Sequence, residues 1–165
     1  MSAIETRAAQ LDEIFARFEL KAETEAGNKT GGPLVPRARH YELAQALKEA
    51  GWTSYIAVVA SHWLEEKKGE TVVDVEHFEV ATALRCVGSG SMVAKWRVRL
   101  ELNEDIDTLY PLFAGADWQE REQFDLVGVS FKGHPDPRRL MLPDEWVGHP
   151  LRKDYAIETR CEPWR

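Results

Sequence analysis

HFEVATALRCVGSGSMVAKWRVRLEL, residues 77–102, reads as two strands and the loop between them. Phe78, Val80, Thr82, Leu84 and Cys86 alternate with Glu79, Ala81, Ala83 and Arg85. Ala94, Trp96, Val98, Leu100 and Leu102 alternate with Lys95, Arg97, Arg99 and Glu101. A period of two turns one set toward a core and the other toward water. Val87-Gly88-Ser89-Gly90-Ser91 has the composition of a hairpin loop.

Upstream, Ser54 to Ala60 is apolar on both faces, which predicts a central strand. Before it, Leu43, Ala44, Leu47 and Ala50 share one face of a helix from His40 to Ala50, stopped by Gly51. Ile4, Ala8, Leu11, Phe15 and Phe18 form a further amphipathic stripe, with Ser2 and Glu5 as a capping box. Lys21 to Pro33 is polar and Gly-rich and reads as a linker; Leu34-Val35 then begins a short edge strand. Downstream, Leu109, Leu112 and Phe113 suit a short helix. Asp117, with Glu120 three residues on, is a capping signal for another that ends near Gly128.

The sum is an α+β fold in two layers: a mixed or antiparallel sheet with helices packed on one face, followed by an extended C-terminal arm. Residues 1–31 would be an amphipathic helix and linker, 32–128 the core domain and 129–165 the arm. The arm contains Gly133, Gly148, Pro135, Pro137, Pro143 and Pro150, which exclude a long helix or a central strand. It also contains Phe131, Leu140, Leu142, Trp146, Leu151 and Tyr155, which a disordered tail would lack. Such a segment lies against something else.

A net charge of −7 argues against nucleic acid as a partner. Between Glu101 and Asp125 there are eight carboxylates and one base, Arg121, so no phosphate track exists there. The longest apolar run, Tyr55 to Ala60, is far shorter than a membrane span. Glu5, Asp12 and Glu13 near the start leave no apolar signal core, so no secretory signal is expected. Cys86 and Cys161 are far apart and read as reduced thiols of the cytoplasm.

Candidate chemistry concentrates between 118 and 155. Glu120, Glu122 and Asp125 could serve acid–base catalysis, but Arg121 falls beside Asp125 on a helix and would keep a carboxylate ionised. Ion pairs at a helix start are the expected reading. His134 and His149, each before Pro, match no metal-ligand spacing and are expected to be hydrogen-bonding struts at turns. His62 and His77 have no recognisable partner. Arg138-Arg139 and Arg152-Lys153 alternate with Asp136, Asp144, Glu145 and Asp154, which favours ion pairs with a protein over phosphate binding. No Gly-rich nucleotide loop, C-x-x-C run or G-x-S-x-G elbow occurs, so no cofactor or nucleophile is expected in this chain.

Glu120-Arg121-Glu122, Phe124-Asp125-Leu126, Gly128 and Gly133-His134-Pro135-Asp136 stand at fixed spacings. Arg138-Arg139, Pro143-Asp144, Trp146 and Gly148-His149-Pro150-Leu151-Arg152-Lys153-Asp154-Tyr155 follow. This run resembles the C-type, thirty-kilodalton subunit family of respiratory complex I, the proton-translocating NADH:quinone oxidoreductase. Val127 stands where the family usually has Phe, and Pro137 where it usually has Leu. The resemblance implies a non-catalytic assembly subunit in the hydrophilic arm of that complex. It would lie peripherally on the cytoplasmic face of the inner membrane, without a span of its own. Its partners would be the D-type, forty-nine-kilodalton subunit, wrapped by the C-terminal arm, and neighbouring iron–sulfur subunits. Flavin, iron–sulfur clusters and quinone would sit in those partners. A relative of complex I, such as a membrane-bound hydrogenase, a ferredoxin-linked NDH complex or a reduced-F420 dehydrogenase, is the alternative. A free-standing hydrolase using Glu120 or Glu122, and an adaptor without redox context, are the readings from other classes.

Overall fold

The computed structural model describes residues 3–20, 32–69, 71–87 and 92–156. In chain order the elements are α1 (Ala3–Arg17), α2 (His40–Glu49), β1 (Ser54–Trp63), β2 (Glu66–Lys68), β3 (Thr71–Asp74), β4 (His77–Arg85), β5 (Val93–Leu100), β6 (Asp105–Asp107), α3 (Ala116–Val127) and β7 (Ser130–Lys132). A single 3-10 turn, Arg37–Arg39, precedes α2. The sheet is antiparallel with the order β1-β4-β5. Arg85 pairs with Val93 and Phe78 with Leu100, the register expected of a hairpin. Its tip and the Ser2 cap lie outside the described residues, as do residues 21–31 of the expected linker.

The period-two pattern sorts the sheet as the alternation dictates except at Arg97, which is buried on the outer face, paired with Glu79 and bonded to the Gly32 carbonyl. Val58, Ala60, Phe78, Val80, Leu84, Ala94, Trp96, Val98 and Leu100 are buried under the helices. Lys95 and Arg99 point to water on the other face. Leu43, Ala44 and Leu47 bring α2 onto the core, where Trp96 donates its indole N–H to His40 Nδ1 at 3.0 Å. Burial holds the His40 imidazole down at a pKa of about 4, so it is the neutral acceptor this bond needs. Leu11, Ile14 and Phe15 pack α1 against the same core.

The strand predicted to be central, β1, is instead the sheet's edge. Its outward backbone groups are met by side chains of α3: Gln119 Oε1 accepts from Val58 N–H and Gln123 Oε1 from Ala60 N–H, both at 2.9 Å. Gln119 Nε2 donates to the Ile56 carbonyl at 3.2 Å. A helix laid along the edge meets the outward backbone groups of the strand as a neighbouring strand would, and it blocks pairing with another chain, while Val59 on the outer face stays 55% exposed. On the other side β5 is flanked by a parallel bridge from Leu34 to Arg97, the short edge strand expected there. Gly32 and Pro33 belong to that edge and not to a linker. The Gly32 carbonyl accepts from Arg97 Nε, and a Cβ on Gly32 would overlap the Lys95 carbonyl at 2.1 Å.

The helix expected at Leu109–Phe113 is one hydrogen-bonded turn, with the Phe113 and Leu112 N–H groups on the Leu109 carbonyl. The stretch between β6 and α3 is too short to repay helix nucleation. β7 pairs in parallel with β6, and Val129 and Phe131 are buried, so the body continues beyond residue 128. No helix of the described residues is long and apolar enough to cross a membrane.

Candidate functional site

The motif residues of the 118–155 run meet around the C-terminal half of α3. Asp125 is fully buried, and both oxygens of its carboxylate are taken. Oδ2 accepts the backbone N–H groups of Leu140, Met141 and Leu142 at 3.0, 2.7 and 2.9 Å, while Oδ1 accepts Arg139 Nη1 at 2.7 Å. Arg139 Nη1 also reaches the Asp125 carbonyl. Burial pushes the Asp125 carboxyl up, but the Leu142, Met141 and Leu140 amides with Arg139 outweigh it and hold the group below the usual range. A carboxylate so ringed by donors is a structural anchor, since its acceptor capacity is committed.

The rest of the arm is tied to the same helix. Arg139 Nη2 donates to the Gly148 carbonyl at 3.0 Å, and Leu151 N–H to the Leu126 carbonyl at 2.9 Å. His149 Nδ1 lies 2.9 Å from the Asp125 carbonyl, which makes it the protonated nitrogen of the ring. α3 ends at Gly128 with φ 90°, and a Cβ there would stand 2.8 Å from His149 Cδ2. The helix stop and the seat of the imidazole are therefore one requirement for glycine.

Arg121 does not pair with Asp125, the partner that helix spacing offers. It turns toward the arm, donating to the carbonyls of Arg138 and Arg139 at 3.1 Å and pairing with Asp136 at 3.3 Å. Asp136 is also gripped by Arg138, whose hydrogen bonds, with the charge of Arg121, hold its carboxyl down at about 2. His134 is the strut its Pro-flanked position implies. Nδ1 accepts Asp136 N–H at 3.1 Å, so Nε2 is the donor facing the Asp117 carbonyl at 3.3 Å.

Glu120 corrects a second expectation. Asp117 is not the cap of α3; the cap position is Gly115, without a side-chain hydrogen bond. Glu120 points inward, accepting Thr108 Oγ1 at 2.5 Å and Leu109 N–H at 2.8 Å. Arg121 does not keep it ionised. Burial, with a smaller contribution from Asp117, raises its pKa to about 7 against the pull of Thr108 and Leu109. The carboxyl thus joins α3 to the β6 side of the body. A small, solvent-open cleft of about 30 Å³ beside it is lined by Phe124, Phe131, His134 and Pro137, with Arg121 at the wall. Glu122 lies half-buried on α3 and forms no hydrogen bond or ion pair with another described residue.

The end of the arm reaches β1 through His62, for which the sequence offers no partner. His62 is fully buried; its Nδ1 accepts Lys153 N–H at 3.1 Å, and Glu76 Oε1 lies 2.9 Å from Nε2 without completing a well-aligned hydrogen bond. Asp154 Oδ1 is 3.6 Å from Nδ1. His62, Glu76 and Asp154 have the ligand types of a metal site. The two carboxylates sit at opposite nitrogens of one ring, however, and Arg152 already grips Asp154 through two bonds at 2.9 and 2.8 Å. The group works as a tie between β1, the β3–β4 link and the arm. No sequence signal could have revealed it, because His62 and Lys153 stand 91 positions apart.

Arg152 lies over Phe78 and Lys153 over Trp63. Trp146 and Tyr155 are half-buried, each with its ring N–H or hydroxyl buried and lacking a hydrogen-bond partner among the described residues. Tyr155 packs on Gly148, where a Cβ would stand 2.8 Å from Tyr155 Cε2.

Residues 34–160 match the family described as respiratory-chain NADH dehydrogenase, 30 Kd subunit. The chain belongs to this family. A relative from Synechococcus sp. (strain RCC307), NAD(P)H-quinone oxidoreductase subunit J, is 44% identical over 119 residues, 69% of this chain and 63% of that protein. Subunit J of Prochlorococcus marinus (strain NATL1A) is 61% identical over 62 residues, 36% of each chain. The chain thus spans less than two thirds of the length of these relatives. The fold is shared with the trypsin-resistant fragment of Nqo5, at a TM-score of 0.56 and 24% identity, covering 78% of this chain and 97% of that one. In this member of the respiratory-chain family, the signature run is folded onto the chain's own α3.

Proposed function

We propose that this chain is a non-catalytic assembly subunit in the hydrophilic arm of an NADH:quinone oxidoreductase of the complex I type. It docks on the D-type, forty-nine-kilodalton subunit near the quinone-reducing end, beside the iron–sulfur subunits. Flavin, iron–sulfur clusters and quinone are held by those partners, and the complex couples electron transfer from NADH to proton translocation. The chain lies peripherally on the cytoplasmic face of the inner membrane.

The observation that carries this reading is the use of the signature residues. Asp125, Arg139, Arg121, Asp136 and His149 are engaged with backbone and with one another, so their chemistry goes into holding a shaped surface. Rigid presentation of an irregular segment suits recognition of a protein. Among the described residues Glu120 has a carboxyl raised to about 7, and both of its oxygens are occupied, by Thr108 and Leu109.

The relatives named as NAD(P)H-quinone oxidoreductase subunit J, from Synechococcus and Prochlorococcus, support a second reading within the same class. The complex would then be a relative of complex I with a different electron donor.

Purification from native membranes through a tag on this chain tests both. Co-elution of iron, flavin and quinone-reductase activity driven by NADH is expected. Activity driven only by ferredoxin selects the second reading, and elution of the chain alone overturns the proposal.

A further inference from the structure

The ties that fix the arm leave three large apolar side chains turned out. Met141 is 62% exposed although its own N–H is bonded to the buried Asp125. Val147, 81% exposed, immediately precedes Gly148, whose carbonyl is held by Arg139. Leu151 is 61% exposed while its N–H is bonded to Leu126. All three are thus hung, directly or through Arg139, from two consecutive residues of α3, Asp125 and Leu126. An apolar group fixed outward on an ordered loop loses little entropy on association, which is the condition for a preformed contact. Methionine adds a side chain that conforms to what it meets.

The polar surroundings state what the partner must carry. Asp144 and Glu145, between Met141 and Val147, are exposed and form no salt bridge with any described residue. The arginines of the arm are engaged: Arg138 with Asp136, Arg139 with Asp125, and Arg152 with Asp154. Lys153, next to Leu151, is exposed and lies over Trp63, and Arg138 lies near Asp144, so the negative edge of this patch is its Asp144–Glu145 side.

We infer that Met141, Val147 and Leu151 make the partner-facing surface of the arm, and that it receives an apolar protein patch rimmed by Lys or Arg. The inference rests on the assembly function proposed above and shifts the contact from the signature residues to the side chains they display. Attraction between the acidic rim and such a partner fixes orientation, and the apolar centre supplies the affinity.

The test is retention of partner subunits on the tagged full-length chain from native membranes, compared across three variants. Combined Met141→Ser, Val147→Ser and Leu151→Ser should lower retention by on the order of tenfold per side chain. Combined Asp144→Lys and Glu145→Lys should also lower it, with a deficit that shrinks as salt is raised. Val73→Ser, in the exposed β2–β3 ribbon, should retain partners as wild type does. Thermal unfolding of each purified chain should match wild type, because every substituted side chain is exposed. Should the triple variant misfold, the charge-reversed pair alone decides. Wild-type retention in the triple or the charge-reversed variant, or loss confined to Val73→Ser, overturns this surface while leaving the assembly function standing. A wild-type chain that retains no partner overturns both.

Discussion

Arg139 Nη1 stands 2.7 Å from Oδ1 of Asp125, the same carboxylate whose Oδ2 holds the amides of three consecutive residues. One buried acid thereby fixes both a side chain and the path of the backbone that follows it.

Asp125→Asn should release the arm. The amide cannot replace the charge and brings an N–H against existing donors, and breaking a buried ion pair at one partner typically costs about 3–5 kcal/mol. Hydrogen exchange should show lost protection at Leu140, Met141 and Leu142 with β4 and β5 unchanged. The folded-state value of Asp125 is depressed, so its contribution is present above the unfolded carboxyl value and is lost as pH falls through the folded one. The arm of the wild type should therefore stay tied down to below about pH 4.

Glu120 carries the opposite sign. Its folded value, about 7, lies above the ordinary 4.5, so its contribution is complete below pH 4.5 and is lost progressively as pH rises through 7. Denaturant titrations at pH 5 and pH 8 should show wild type losing roughly 3 kcal/mol more than Glu120→Gln across that range. Parallel profiles for the two proteins would show that Glu120 titrates normally.

Gly128→Ala places a side chain at φ 90° and within 2.8 Å of the His149 ring. Backbone strain at such a position is on the order of 1–2 kcal/mol, and displacement of His149 adds to it. The expected result is a lower denaturation midpoint together with faster exchange at the Leu151 amide. Strain alone would lower the midpoint without touching Leu151.

Gln123→Leu uncovers the Ala60 amide on the edge of β1. Leaving a partly buried backbone N–H without a partner costs about 1–3 kcal/mol. Light scattering during mild heating should also rise earlier than in wild type, since the edge becomes available for pairing. An unchanged midpoint and unchanged scattering would show that water serves the strand as well as Gln123 does.

Local pattern sufficed for elements whose neighbours in space are neighbours in sequence. The β4–β5 hairpin, α2 and its end at Gly51, and the stop of α3 at Gly128 follow from periodicities of two and 3.6 and from glycine geometry. The edge position of β1 escapes such a pattern, because apolar residues on both faces report surroundings rather than neighbours. Here the outer edge is capped by α3, through Gln119 and Gln123, from far along the chain, and the outer face is left open at Val59. The inward turn of Glu120 is hidden for a similar reason: of its partners, Leu109 opens a turn that the pattern reads as helix, and Thr108 stands beside β7, bonded to the Lys132 carbonyl.

The sequence by itself determined the α+β class, the family, and the run whose charged and Gly/Pro positions matter, because residue type and spacing are local quantities. Tertiary structure alone decided what those positions touch. Asp125 meets Arg139 rather than Arg121, His62 meets Lys153, and Arg152 meets Asp154 and Phe78. A charged side chain finds whichever opposite group the folded backbone brings within about 3–4 Å, and that proximity is a property of the whole chain path.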